Sequence, residues 1–248
     1  MTEFVVKVVV SYLLGSIIGS LVVGRLRGGV DIRQLGSGNA GGTNALRTQG
    51  KGFAFWVMAI DIGKGWLATR CVPALAVPGV SLGSAGAGAG MGVGAGVRIG
   101  AGAGISAGAG IGAGTGAAGW LAVACGVAVI VGHVYPVWHG FRGGKGVATL
   151  IGAVLGLDSW LLLPMLGTWL VAVILFGFVG LASMLGAAAL AVTAALGAWE
   201  PRGPLLAFGI VTALLIAFTH RSNIARMRAG TEPRARRLWL LGLRRGGV

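Results

Sequence analysis

From Val147 to Thr219 the chain carries three charged residues, Asp158, Glu200 and Arg202. No fold can surround so apolar a stretch with water, and the rest of the chain repeats the pattern of apolar runs parted by short polar segments. Charged residues make up 10% of the 248 residues against 55% hydrophobic, with a mean hydropathy of +0.86. The reading is an all-α integral membrane protein, because helices pair their own backbone groups where lipid offers none. Cys71 and Cys125 lie in or beside apolar runs and form no metal-type cluster, so neither a disulfide framework nor a structural zinc site is expected.

Seven apolar segments are predicted, at about 4–24, 53–77, 120–138, 147–157, 160–176, 182–198 and 204–219. The fourth is short for a span and suits a tilted, half-inserted or interior helix. Between the second and third, residues 81–119 are almost entirely Gly and Ala. Glycine is a poor helix former, so this segment reads as a flexible low-complexity connection rather than a GxxxG dimerisation helix.

Of the 20 Lys and Arg residues, 15 fall in three regions, 25–52, 139–146 and 220–248, for a net charge of +14. The positive-inside rule puts these regions in the cytoplasm and the N-terminus outside, which seven crossings satisfy. The eight arginines after His220 suit contact with anionic lipid better than nucleic acid, since no aromatic interleaving or reading motif accompanies them.

Each basic region holds glycines, small hydroxyls and cations: GVDIRQLGSGNAGGTNALR at 29–47, YPVWHGFRGGKGVAT at 135–149 and HRSNIARMRAGTEPR at 220–234. Glycine-rich turns let backbone N–H groups approach an anion, and Arg and Lys add full charge. The pattern predicts two phosphate-bearing ligands at one membrane face, or one phosphate and one developing oxyanion. Gly36–Gly41 matches GxGxxG but has membrane spans, not a βαβ unit, around it. Gly143–Gly146 is not a Walker A loop, there is no GxSxG, and Asp31 and Glu232 are the only acids in the three regions.

In their order and at one face, GSGNxGxTNxLR, GGKGVAT and HxxNIxRxxxGTE resemble the bacterial acyl-phosphate:glycerol-3-phosphate acyltransferases of the PlsY type. The resemblance covers nearly the whole chain apart from the Gly/Ala stretch and the final basic tail. It implies a seven-helix enzyme of the bacterial cytoplasmic membrane that moves a fatty acyl group from acyl phosphate to the 1-hydroxyl of sn-glycerol 3-phosphate. The products are lysophosphatidate and inorganic phosphate. On this reading residues 1–234 are the acyltransferase domain, interrupted at 81–119, and 235–248 are a basic tail. No cofactor and no metal are expected. The expected partners are the two substrates, membrane lipid and the soluble enzyme that makes acyl phosphate, with no nucleic acid.

Carried over by position, the resemblance selects Ser37, Gly38, Asn39, Thr43, Asn44 and Arg47, then Gly143, Gly144, Lys145 and Gly146, then His220, Asn223 and Glu232. His220, Lys145 and Ser37 take the catalytic roles and the others bind substrate or phosphate. The chain departs from the family in its Gly/Ala insertion and in the uncharged turn Phe178–Ser183, where an Arg-Tyr-like turn is expected.

Ser37 lacks an evident base and an orienting third group, so it reads as an anion ligand rather than a nucleophile. His133 and His139 read as interfacial residues or as supports behind the site. Asp61 and Lys64, spaced i, i+3 within an apolar run, read as a structural ion pair bordering the site. An anion or headgroup transporter is the rival function, but transporters place their polar groups near the midplane and here they cluster at one surface. An acyl-CoA-type acyltransferase would need His-x4-Asp, which is absent.

Overall fold

The computed structural model describes residues 1–76, 117–197, 202–235 and 239. Ten α-helices occur among them: α1 Thr2–Gly15, α2 Gly19–Leu26, α3 Gly42–Gln49, α4 Lys51–Arg70, α5 Ala117–Val134, α6 Val147–Leu157, α7 Leu162–Phe176, α8 Val179–Leu196, α9 Arg202–Thr219 and α10 Arg221–Arg228. No strand occurs among the described residues. Most of the Gly/Ala stretch and the tail beyond Trp239 lie outside them.

Every apolar segment of the sequence becomes helix. By length and apolarity, the helices at 117–139, 159–176, 179–196 and 202–219 suffice to cross a membrane. The bent pair α1–α2 makes a fifth. The first segment is therefore not the continuous span expected at 4–24. It breaks after Gly15 and resumes at Gly19 with a bend of 46°. Helix α4 has 20 residues but carries Lys51, Asp61, Lys64 and Arg70. Helix α6, at 11 residues, is about 16 Å long, roughly half a bilayer core. It packs along α4 inside the bundle, as one of its predicted alternatives allows.

Glycine makes that packing possible. A Cβ on Gly152 would lie 1.9 Å from the Ile62 carbonyl oxygen, and one on Gly65 would lie 2.2 Å from that of Thr149. Between α1 and α5, a Cβ on Gly15 would lie 2.2 Å from the Val129 carbonyl oxygen, and one on Gly132 would lie 2.1 Å from that of Tyr12. Close backbone approach of this kind replaces the hydrophobic drive that lipid removes between helices. The main apolar core gathers Val129, Ile130, Leu150, Leu190, Phe208 and Ile216 at the centre of the bundle.

The break in the first span explains the two charges inside α4. Lys64 Nζ donates to the carbonyls of Gly15 and Ile17, at 2.9 and 2.6 Å, which the break leaves without helical partners. Asp61 Oδ1 accepts the N–H of Gly19, at the start of α2, at 3.1 Å. The pair, 2.9 Å apart and both buried, thus caps both sides of the break, cation at the carboxyl end and anion at the amino end. Alone, either charge would cost about 2.5–3.5 kcal/mol at the centre of a span. The expected ion pair exists, and it has a specific mechanical job.

Two polar helices, α3 and α10, stand in regions read from the sequence as loop and non-periodic tail. Each has eight residues and no long apolar face. Beyond α10, Arg234 stacks on Phe178 and Trp239, 4.7 and 3.9 Å from the ring centroids. The N–H of Ala235 reaches the Gly177 carbonyl at 2.8 Å. Arg234, the last residue before the basic tail, therefore returns a cation to the turn before α8.

Candidate active site

The three glycine-rich regions close around one cavity of about 200 Å³. The first contributes Ser37, Asn39, Thr43, Asn44 and Arg47, the second Lys145 and Gly146, the third His220, Asn223 and Glu232. A neighbouring recess of about 300 Å³ shares Ser37, Asn39 and Lys145 with it and adds Gly38, Gly143 and Gly144. All the residues selected from the sequence thus line one or the other of these two neighbouring spaces.

Two helices begin on the cavity. Helix α3 starts after Gly41 and α6 after Gly146, and no side chain caps either. The N–H groups of Gly42 and Thr43 in α3 and of Val147, Ala148 and Thr149 in α6 have no partner among the described residues, while that of Asn44 already bonds the Gly41 carbonyl at 3.1 Å. The partial positive ends of both helices face the same volume. Gly146 sits at φ +87°, where a side chain would be strained. The glycines before it behave differently from the phosphate cradle expected. Gly143 and Gly144 spend their N–H groups on the carbonyls of Val134 and His133, both at 3.1 Å. Their smallness serves packing: a Cβ on Gly143 would lie 1.9 Å from the His133 carbonyl oxygen.

Asn44 is committed to the loop rather than to the cavity. Its Oδ1 accepts from the Ser37 N–H at 2.9 Å, and its Nδ2 reaches the carbonyls of Ile32, Leu35 and Asn39 at 2.9, 3.0 and 2.9 Å. Gly36, at φ +57°, has no side chain to strike this amide. Arg33 ties the first region to the second through the carbonyls of His139 and Arg142, at 3.3 and 2.9 Å. The same guanidinium holds the Asp31 carboxyl below the usual carboxylate range. Ser37, Thr43 and Arg47, by contrast, have side chains with no hydrogen bond among the described residues and are available to a ligand.

On the opposite wall a chain of contacts runs through the third region. Lys145 Nζ donates to Asn223 Oδ1, Asn223 Nδ2 to Glu232 Oε1 at 2.6 Å, and Arg226 Nε to Glu232 Oε2 at 2.7 Å. Thr219 Oγ1 holds the Lys145 carbonyl at 3.0 Å. Burial, then the Arg226 charge, pulls Lys145 down to about 8, so its ammonium is charged at neutral pH and titrates just above it. Glu232 has both oxygens occupied within this chain and acts as a brace. His220 Nδ1 lies 2.8 Å from the Ile216 carbonyl, which only accepts, so Nδ1 carries the hydrogen and Nε2 the lone pair. Burial pushes its pKa down to about 4, leaving the ring neutral.

The cavity also holds residues that the carry-over left out. Arg226 is a fixed position of the third motif, three residues after Asn223 on α10, yet is not among the residues selected. Ser183 comes from the second turn of α8, which takes up most of the stretch expected as a turn, and Asp61 and His133 come from inside the bundle. The i, i+3 spacing of Asp61 and Lys64 was the only sequence signal for this inner end. Met58, Ile151, Trp169 and Val179 form an apolar wall.

The sequence profile of the family "Glycerol-3-phosphate acyltransferase" matches residues 5–230. A glycerol-3-phosphate acyltransferase of Coxiella burnetii is 32% identical over 234 residues, covering 94% of this chain and 98% of that one. The protein of the same description from Chlorobaculum parvum is 34% identical, with 94% and 97% covered. Among solved structures, the chain is similar to PlsY (YgiH), an integral membrane glycerol 3-phosphate acyltransferase, in its glycerol 3-phosphate form. The TM-score is 0.71 at 30% identity, over 93% of this chain and 94% of that one. The lysophosphatidic acid form of the same enzyme matches with a TM-score of 0.68.

Proposed function

The chain belongs to the integral membrane glycerol-3-phosphate acyltransferases of the PlsY type, and on that premise we propose that it takes its acyl group from acyl phosphate and passes it to the 1-hydroxyl of sn-glycerol 3-phosphate. The observation that carries this reading is the convergence of two uncapped helix starts with Arg47, Lys145 and Arg226 on a cavity with one apolar wall. Such a site suits two phosphates and one acyl chain. A thioester donor would bring no phosphate next to its reacting carbon.

Arg47 and the start of α3 hold one phosphate, and Lys145 and the start of α6 the other. Ser37 and Thr43 add hydroxyl donors, and the acyl chain lies along Met58, Ile151 and Trp169. Acyl phosphate is already activated, so the protein supplies orientation and charge stabilisation rather than a strong base. His220 accepts a hydrogen bond from the 1-hydroxyl through Nε2 and orients it. With a pKa near 4 it does not keep the proton. The alcohol oxygen forms its bond to the acyl carbon, the bond from that carbon to the phosphate oxygen breaks, and the departing phosphate takes the proton. Asn223 and Glu232 act by holding Lys145 and Arg226 in place.

The basic regions face the cytoplasm of a bacterial cell with the N-terminus outside, residues 1–234 form the catalytic unit, and the tail lies on anionic lipid. The soluble enzyme that makes acyl phosphate delivers it at this face. The test is an assay of purified protein with glycerol 3-phosphate and either acyl phosphate or acyl-CoA. Lysophosphatidate and phosphate in equal amounts from acyl phosphate alone is the expected result. Product from acyl-CoA only would overturn the donor assignment.

A further inference from the structure

Five side chains with a carboxylate or amide oxygen line the cavity: Asn39, Asn44, Asp61, Asn223 and Glu232. Four of them are engaged within the protein. Asn39 Oδ1 accepts the Gly41 N–H at 2.8 Å and Asn44 Oδ1 that of Ser37 at 2.9 Å. Asn223 Oδ1 takes the Lys145 ammonium, and the two Glu232 oxygens take Asn223 and Arg226. Asp61 is engaged through one oxygen only. Its Oδ1 accepts the Gly19 N–H at 3.1 Å and lies 2.9 Å from Lys64 Nζ and 3.4 Å from His133 Nδ1. Its Oδ2 is buried and has no hydrogen-bond partner among the described residues.

The two oxygens diverge from one carbon, so with Oδ1 turned to the helix break at Gly19, Oδ2 is directed away from it. Lys64 and the Gly19 N–H anchor Oδ1 and stop the carboxylate from turning. A buried carboxylate oxygen without a donor is uncommon in native structures and calls for one. Phosphate and a forming oxyanion bring no hydrogen and are repelled by a carboxylate, so the missing donor is a neutral group. Glycerol 3-phosphate carries two such donors, its hydroxyls. The mechanism above gives the 1-hydroxyl to His220 Nε2 and leaves the 2-hydroxyl without an acceptor.

We propose that Asp61 is a specificity-determining residue of the acceptor site, its Oδ2 accepting a hydrogen bond from the 2-hydroxyl of glycerol 3-phosphate. Phosphate on a helix start and its cation, 1-hydroxyl on His220 and 2-hydroxyl on Asp61 make three points of attachment. Three points fix the hand of the central carbon and hold the 2-hydroxyl away from the acyl carbon. The ion pair with Lys64 thus joins the helix break to the choice of acceptor. The inference rests on the transfer to the 1-hydroxyl proposed above. If that reading fails, the parent protein gives no 1-acyl product from acyl phosphate and glycerol 3-phosphate; if only this inference fails, the parent turns over and is indifferent to the central carbon.

The test compares acceptors on purified protein with acyl phosphate as donor. 3-Hydroxypropyl phosphate lacks the 2-hydroxyl, and dihydroxyacetone phosphate has a ketone there, which accepts but cannot donate. For the parent, kcat/KM with either is expected about 100-fold below that with sn-glycerol 3-phosphate. Asp61→Asn keeps an acceptor oxygen for the Gly19 N–H and presents an N–H where Oδ2 stood, a group that suits the ketone. Its preference for glycerol 3-phosphate over dihydroxyacetone phosphate should narrow at least about tenfold. Both acceptors are measured on the same protein, so a loss of folded variant cancels from this ratio. A parent that uses 3-hydroxypropyl phosphate as well as glycerol 3-phosphate would overturn the proposal whether or not the variant folds, and would leave Oδ2 to a bound water. An unchanged ratio in Asp61→Asn would overturn it too and assign the 2-hydroxyl to another group.

Discussion

Lys145 ends between the start of α6 and the Asn223–Glu232–Arg226 chain, and its pKa near 8 gives the reaction an alkaline limit. The sign follows from the role: the ammonium holds phosphate, so activity is lost as pH rises through about 8. His220 acts neutral and becomes charged only as pH falls through about 4. The pH profile of kcat/KM should therefore be flat between about 5 and 7 and fall on both sides. Lys145→Ala should lower turnover about 10²–10³-fold. Lys145→Arg should remove the alkaline limb while restoring little turnover, because a planar fork does not replace a compact ammonium. An unchanged alkaline limb in that variant would assign it to another group. Arg47, Lys145, His220 and Asn223 were legible in the sequence because cations and polar residues crowd the glycine-rich stretches. His133 was not, since a histidine at the end of an apolar run looks the same whether it meets headgroups or a buried lysine. Nor did the sequence reveal that Gly143 and Gly144 turn their N–H groups back onto α5, because that depends on where the helix ends.

At the level of elements, the positions of the long helices were legible from apolar runs bounded by charge. Helices α3 and α10 were not. Eight polar residues show no hydrophobic period, and both are held by contacts outside the helix, such as Asn44 with the Ile32 carbonyl and Asn223 with Lys145. The break at 15–19 was hidden because GSIIG is as apolar as the helices it joins; only the charges on α4 betray it. The crossing of α4 and α6 sets where the second glycine-rich region enters the cavity, and it depends on backbone contact. Gly152→Ala should cost about 1–3 kcal/mol through overpacking against the Ile62 carbonyl. Gly63→Ala, on the same pair of helices with nothing within 4 Å of the new carbon, should be neutral. Thermal unfolding of the two variants in detergent checks the contrast, and equal melting temperatures would show that the crossing yields easily.

For the molecule as a whole, three basic regions separated by apolar segments meet around one cavity, and the proposed function puts that cavity at the cytoplasmic face with its apolar wall toward the acyl chain. The charge bias that suggested this arrangement is visible without any structure, and the meeting of the three regions around one cavity adds a physical reason for it. In a Cys71→Ala, Cys125→Ala background, cysteines at Gly28 and Gly140 should resist a membrane-impermeant thiol reagent in intact cells, while one at Ser159 should label. Labelling at Gly140 in sealed cells would reverse the orientation. The central claim is direct transfer between two substrates held by cations and helix starts, with no covalent enzyme intermediate. A single-turnover rapid quench with labelled acyl phosphate, read by intact-protein mass and by product formation, tests it. Lysophosphatidate and phosphate should appear at one common rate with the protein mass unchanged, whereas phosphate released ahead of lysophosphatidate, with a stoichiometric acyl adduct that disappears in Ser37→Ala, would contradict it.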